Sequence, residues 1–426
     1  MQKNKNLMKS VMSNDYVFSL VNKFLSVFIG VFSSVCVNRY LGPELKGQYA
    51  YLINIVNIAV IVAGLGFYQS YPNQHRNKME DQLHKYMNVF FAQFLIYLVI
   101  AVALAFLYKQ SAITCALMLV PVQVLMNQLI MVALVEFIKF KQKVQIVMLF
   151  VNFGVNLLLL LFFPSNVALA LIALMIKDGG FVIAFLWKIK YIPNPFDISK
   201  DFMVMLVKFG LSAMISTLLL QLNYRVDILF LGNMATDYEV GLYSVGVTLA
   251  EYVWLIPDAF KEVLFARTAK SDSINEIVTC IKINSAITVC LILGMLIFGK
   301  LGIRILYGRD FVPAFGVTCI LFLGIPAMVL FKITNPLYWA NGKQMFFCMT
   351  LLASVIANVV LNVLLIPTFG KEGAAVASVV SYTLCGGTFY LKFIKDYHIK
   401  WLEPFVITKN DISELTKRIN KRKEKS

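Results

Sequence analysis

Residues 87–108 read MNVFFAQFLIYLVIAVALAFLY, 22 residues without one charged side chain. A helix of that length is about 33 Å long at 1.5 Å per residue, enough for the roughly 30 Å hydrocarbon core of a bilayer. No water is available there for backbone N–H and C=O groups, so such a run must take the helical form that pairs them internally. Eleven further runs of comparable length lie around it, at 16–38, 48–68, 112–135, 145–163, 167–187, 205–231, 240–260, 277–298, 312–331, 345–366 and 373–394. Together they predict an all-α integral membrane protein of about 12 transmembrane helices. The first run follows Lys3, Lys5 and Lys9 as a signal peptide would, yet it exceeds the apolar core of about 7–15 residues that signals carry. It also lacks an Ala-x-Ala-like site, and reads as a retained span.

The composition agrees. Of 426 residues, 59% are hydrophobic and 15% charged, whereas soluble domains carry about 25% charge. Basic residues exceed acidic ones 39 to 23, giving +16. They gather between apolar runs, so the excess bears on membrane orientation and a nucleic-acid binder is excluded. Cys36, Cys115, Cys280, Cys290, Cys319, Cys348 and Cys385 form no CxxC pair and lie in or beside apolar runs, as packing residues do. His75, His84 and His398 sit in polar connections, which leaves no histidine cluster for a metal or for catalysis, and the chain is not expected to be an enzyme. Residues 294–300 fit Gly-x4-Gly-Lys, but Leu301 replaces the required Ser or Thr and the run ends an apolar segment, so no nucleotide site is expected. No cofactor is implied. Transport would draw on an ion gradient, with H+ or Na+ as coupling ion, on the substrate gradient, or on downstream consumption.

Loops after even-numbered runs carry 14 basic residues: Arg76, Lys78, Lys85, Lys139, Lys141, Lys143, Lys188, Lys190, Lys200, Lys261, Arg267, Lys270, Lys332 and Lys343. The opposite loops carry seven, Arg39, Lys46, Lys109, Lys300, Arg304, Arg309 and Lys371. Positive residues stay on the cytoplasmic side, so both termini are expected there. The organisation read from this is a cytoplasmic N-terminus at 1–15, a six-helix lobe at 16–190, a linker at 191–204, a second six-helix lobe at 205–396 and a basic tail at 397–426. In the tail, Ile412, Leu415 and Ile419 have helical spacing beside Lys417, Arg418, Lys421, Arg422, Lys423 and Lys425. A surface helix on anionic lipid and a solvated tail both fit that pattern. A weak repeat joins the halves: Leu41-Gly42 before Gly47-Gln48-Tyr49 parallels Leu231-Gly232 before Gly241-Leu242-Tyr243. Transporters are often built from such duplicated halves.

An ionised group at the bilayer centre costs about 2.5–3.5 kcal/mol on insertion scales and normally faces protein or a water-filled cavity. The span charges, Lys23, Lys177, Asp178, Lys208, Arg225, Asp227, Glu251 and Lys282, with Asp258 and Lys392 near span ends, are therefore site candidates. Asp178 and Glu251 fall near mid-span; Arg225 and Asp227 lie roughly 10 Å outward, and Lys23 and Lys282 roughly 6–8 Å toward the cytoplasm. Basic groups at several depths suit an anionic head group, with Lys23, Lys282 and Arg225 as its contacts. On a helix Arg225 and Asp227 cannot pair, so Arg225 shares a face with Gln221, and Asp227 with Asn223. A guanidinium grips phosphate oxygens in a fork; the alternative for Arg225 is an interhelix bridge to Glu251 or Asp178. Asp178, Asp227 and Glu251 are candidates for ion coupling or for interhelix pairing. Pro121, Pro257 and Pro326 read as kinks within spans.

Several strings, RYLGPELKGQYA at 39–50, LGFYQSYP at 65–72, NYRVDILFLG at 223–232, VGLYSV at 240–245 and AEYVW at 250–254, resemble the Wzx-type polysaccharide flippases of the multidrug/oligosaccharidyl-lipid/polysaccharide (MOP, MATE-like) exporter superfamily. Asn358, Asn362, Pro367, Gly370 and the Gly373-Ala374-Ala375 segment resemble the penultimate loop of that family. The resemblance, over residues 10–396, implies two six-helix lobes around a central cavity that opens to alternate sides of a bacterial cell membrane. It implies a lipid-linked oligosaccharide substrate, an undecaprenyl-pyrophosphate-linked repeat unit, with a polymerase and glycosyltransferases as candidate partners. Arg39 and Arg225 lie within the matching strings and are carried over as head-group contacts. A cation-coupled multidrug exporter using Asp178, Asp227 and Glu251 is the alternative within the superfamily. A lipid II-type flippase is another, although that family looks longer by two helices; a scaffold docked by the basic tail is the non-transport reading.

Overall fold

The computed structural model describes residues 2–268 and 272–406, with side chains from residue 22 onward except 24, 263, 266 and 267. Lys270 and the basic tail beyond 406 lie outside the described residues, as do the side chains of Lys3, Lys5, Lys9 and Arg267. The fold is all-helical, 89% helix with no strand among the described residues. In chain order the helices are α1 (Gln2–Gly64), α2 (Tyr71–Arg76), α3 (Gln82–Leu107), α4 (Ser111–Glu136), α5 (Ile138–Phe162), α6 (Val167–Ile189) and α7 (Lys200–Met234). They continue as α8 (Asp237–Thr268), α9 (Ile274–Tyr307), α10 (Ala314–Leu323), α11 (Ile325–Ala340) and α12 (Gln344–Asp396).

Nine of these are long and apolar enough to cross a membrane, namely α1 from Leu25, α3 to α9, and α12, and the pair α10 and α11, bent by 44°, makes a tenth. The 40 residues Leu25–Gly64 and the 53 of α12 exceed one crossing, since they amount to about 60 and 80 Å of helix against roughly 30 Å of hydrocarbon. Each is broken at a single glycine, Gly42 (φ 68°, ψ 175°) and Gly370 (φ 53°, ψ −131°). A Cβ costs roughly 1–2 kcal/mol in left-handed backbone, and glycine avoids that cost. Divided there, α1 and α12 supply two arms each and the chain is a multi-pass membrane protein with the twelve predicted spans.

Two compact units form, Met1–Leu218 and Leu219–Ser426. In the first, α4 packs against α1, α3 and α6. The aromatic part of its core sets Tyr86 edge-on to Phe90 and Phe202 at 5.6 and 5.1 Å between ring centroids. Just before the Gly42 break, the Tyr40 hydroxyl donates to the Pro164 carbonyl at 2.7 Å and accepts from the Asn166 N–H at 3.1 Å. Asn166 in turn caps α6, its Oδ1 accepting from the Ala168 N–H at 2.8 Å. In the second unit α11 packs against α8, α9 and α12.

The structure corrects one predicted span. The run 312–331 was expected to end at Lys332, in a loop, with Pro326 kinking its interior. Instead Gly324 separates α10 from α11, Pro326 occupies the first turn of α11, where the missing N–H costs nothing, and the helix continues through a buried Lys332 to Ala340. That removes Lys332 from the loop charges. The glycines at 42 and 232 also differ, since Gly232 lies inside α7.

Between α11 and the second arm of α12 the backbones touch: a Cβ on Gly386 would collide with the Ala327 carbonyl. Lipid gives helices no hydrophobic reason to associate, so such close small-residue packing supplies the attraction. Gly386→Ala is expected to lower folded protein recovered from membranes, by the ~1–3 kcal/mol typical of overpacking. Gly387→Ala, where a Cβ meets open space, is the control and should leave recovery unchanged.

Candidate functional site

Polar groups collect where α7, α8 and α12 meet in the second unit. Asp227 on α7 is fully buried. The Tyr243 hydroxyl of α8 and the Ser378 hydroxyl of α12 both donate to its Oδ2, the latter at 2.5 Å, and the Ile228 N–H donates to Oδ1 at 2.8 Å. One turn back on α7, Asn223 Oδ1 accepts from the Ser381 hydroxyl at 2.9 Å. This is the α7 face that holds residues at i and i+4, met by i and i+3 positions of α12. Asp227 makes no ion pair among the described residues. An ionised carboxylate so placed is costly unless something positive accompanies it.

Asn223 and two amides on the first arm of α12, Asn358 and Asn362, are incompletely paired. Asn362 Nδ2 donates to the Asn358 carbonyl at 3.0 Å and to Asn358 Oδ1. Asn223 Nδ2, Asn358 Nδ2 and Asn362 Oδ1 are buried without a partner among the described residues. Each unpaired buried polar atom costs about 1–3 kcal/mol, which points to a group or water that completes them.

On the other side of α7, Arg225 Nη2 lies 2.6 Å from both carboxylate oxygens of Glu251 on α8, with the two side chains 28% and 26% exposed. Its Nη1 and Nε make no hydrogen bond among the described residues, so one edge of the guanidinium fork is unused. A second pair lies further along α8, where Lys332 Nζ of α11 stands 2.8 and 2.9 Å from the two oxygens of Asp258. The Tyr224 and Trp254 rings, tilted by 40° with centroids 5.2 Å apart, lie against the Lys332 ammonium.

In the first unit, Asp178 on α6 is fully buried; Gln123 Nε2 of α4 donates to Oδ2 at 2.9 Å and Lys177 Nζ lies 3.1 Å from Oδ1. Lys23 is half-buried on the first arm of α1 and Arg39 is exposed just before its break, while Lys282 is buried on α9 of the second unit. The structure thus joins Arg225 with Glu251 and sets Asp227 among hydroxyls. Lys23, Arg39 and Asp178 belong to the other unit. No group of three or more His, Cys, Asp or Glu residues could hold a metal among the described residues.

Sequence reasoning missed Lys332, Trp254, Tyr243, Ser378 and Gln123. The spacing Glu251, Trp254, Asp258, Lys261 along α8 was the available signal, because intervals of three and four residues place all four on one helix face. Nothing in the sequence pairs that face with α11.

Comparison with known proteins places this architecture. Among solved structures, lipid II flippase MurJ in an inward closed conformation superposes with a TM-score of 0.70 at 13% identity, over 90% of this chain and 87% of that one. A multidrug resistance MATE family transporter of the MOP superfamily, inward-facing, gives 0.68 at 12% identity, over 88% and 94%. At such identities the likeness is one of fold. A probable lipid II flippase MurJ from Rickettsia prowazekii is 28% identical over 200 residues, 42% of this chain and only 38% of the relative. Residues 260–413 also match the lipid II flippase MurJ family. Residues 36–315 match the family described as polysaccharide biosynthesis protein. With its MOP-type helical fold and a family match across well over half its length, the chain belongs to the polysaccharide biosynthesis protein family.

Proposed function

We propose that the protein is a flippase that carries undecaprenyl-pyrophosphate-linked oligosaccharide repeat units from the cytoplasmic to the external leaflet by alternating access, for polysaccharide assembly. The observation that carries this reading is the unused edge of Arg225, a guanidinium inside a membrane-spanning helix with donors left for a phosphate. A diphosphate and its sugars cannot cross hydrocarbon unless polar groups replace their water. The prenyl tail can stay in lipid. Lys23, Arg39 and Lys282 are the further candidates for head-group contact.

Asp227 is the candidate for ion coupling. A fully buried carboxylate with three donors and no ion-pair partner among the described residues is suited to take up a proton or a small hard cation such as Na+. Asp178, already beside Lys177, has less need of one. A polymerase and glycosyltransferases are the partners this function would need, and anionic lipid would hold the basic tail.

Translocation in proteoliposomes tests the reading. Short-chain lipid-linked repeat unit loaded in the inner leaflet should become accessible to an external glycan-labelling reagent in protein-containing vesicles, and remain protected in empty ones. The matches to the MurJ family favour a second reading, lipid II as cargo. Lipid II offered in the same vesicles would then be the better substrate.

A further inference from the structure

Glu251, Trp254, Asp258 and Lys261 occupy one face of α8 over about 15 Å. Arg225 meets the Glu251 end and Lys332 the Asp258 end. The Lys332–Asp258 pair is lopsided, with the lysine side chain 6% exposed and the aspartate 35%. The ammonium is also 5.4 and 5.2 Å from the ring centroids of Tyr224 and Trp254. Trp254 is itself buried, and its indole N–H has no acceptor among the described residues. A buried donor without an acceptor carries a penalty of about 1–3 kcal/mol that a bound acceptor would relieve.

We propose that Lys332, Lys261 and the Trp254 N–H form an anion site for phosphate oxygens, distinct from Arg225, and that Asp258 is its exchangeable occupant. The inference rests on the flippase reading for its natural ligand, the diphosphate. Among the described residues Lys332 alone bonds Asp258; Lys261, three residues on, and the acceptor-free Trp254 N–H, four residues back, lie on the same face of α8, so donors outnumber the one carboxylate there. Asp258 can leave because its side chain is about a third exposed while the lysine is buried. When phosphate takes its place Lys332 is never left as an unpaired buried charge, which is the arrangement that would be prohibitive. Seven residues back along α8, Glu251 and Arg225 form a second, evenly exposed pair. A diphosphate moving along this face passes from one latched cation to the next, entering at Lys332 in the orientation that the basic loops predict.

The test uses the full chain with Trp254 as its sole tryptophan, made by Trp187→Phe, Trp339→Phe and Trp401→Phe, and inorganic pyrophosphate as probe against chloride at matched ionic strength. Expected is a saturable change in Trp254 emission with pyrophosphate alone. Asp258→Asn should bind it about three- to tenfold tighter, because the competing carboxylate is gone, and should gain more thermal stability from it than the parent. Lys332→Gln should lose the saturable change; should that variant not fold, Lys332→Arg is expected to keep it. A bridge with only a structural role would instead make Asp258→Asn bind no better than the parent, and that result overturns the site. Proteoliposome translocation by the same parent separates the two readings. Translocation without pyrophosphate binding overturns the anion site alone, whereas pyrophosphate binding without translocation keeps the site and overturns the flippase.

Discussion

Asp227→Asn is expected to reach the membrane folded and to lose gradient-driven translocation by at least about tenfold, the scale set by removing one charge-dependent step of 1.4 kcal/mol or more. Asparagine keeps the volume and one acceptor oxygen for Tyr243 or Ser378, so the structural cost should stay near that of one hydrogen bond, about 1 kcal/mol. What it removes is the charge that binds a proton or Na+. Vesicles with an imposed H+ or Na+ gradient give the readout: wild type should respond to one of them and the variant to neither. Asp227→Leu is the contrast: it removes the acceptor of two buried hydroxyls and of the Ile228 N–H, leaving Tyr243 and Ser378 only each other at 3.1 Å, and should lower folded protein itself. If Asp227→Asn responds to the gradient as wild type does, the carboxylate only ties α7 to α8 and α12.

Arg225→Ala is expected to cut translocation by about tenfold or more, the loss that follows removal of one charged hydrogen-bonding contact of roughly 1.5–3 kcal/mol. Folded protein should fall less, because the Glu251 left behind is about a quarter exposed and is not sealed in protein as a fully buried charge would be. Glu251→Gln separates the roles. A head-group contact predicts a much smaller loss for Glu251→Gln than for Arg225→Ala. An interhelix bridge makes both losses similar and makes both follow the amount of folded protein. Arg225→Lys should restore charge but only part of the rate, since an ammonium cannot offer the planar fork.

The long spans were legible because lipid imposes one requirement, about 20 apolar residues per crossing, that shows directly in the sequence. Gly42 was legible as a break between two such runs. The second half of α11 was not. Its segment from Phe331 to Ala340 holds Lys332, Asn335 and Pro336 and reads as a loop, yet those three residues are buried against protein rather than lipid. Burial by neighbours far away in sequence meets the polar requirement there, and no local pattern announces it. The same holds at the site. That Asn223 and Asp227 share a face follows from helix geometry, whereas Ser378 and Tyr243 as their partners depend on how α12 and α8 pack. The sequence left two partners open for Arg225, and it is Glu251 that the packing brings to 2.6 Å.

The most direct test of the flippase account is the leaflet distribution of lipid-linked oligosaccharide in cells depleted of the protein, read by an externally added glycan-labelling reagent together with total lipid extraction. The account predicts that the repeat unit accumulates in total lipid while its externally labelled fraction falls. An unchanged distribution, with new sensitivity to cationic dyes, would contradict it and favour a cation-coupled exporter built on Asp178, Asp227 and Glu251.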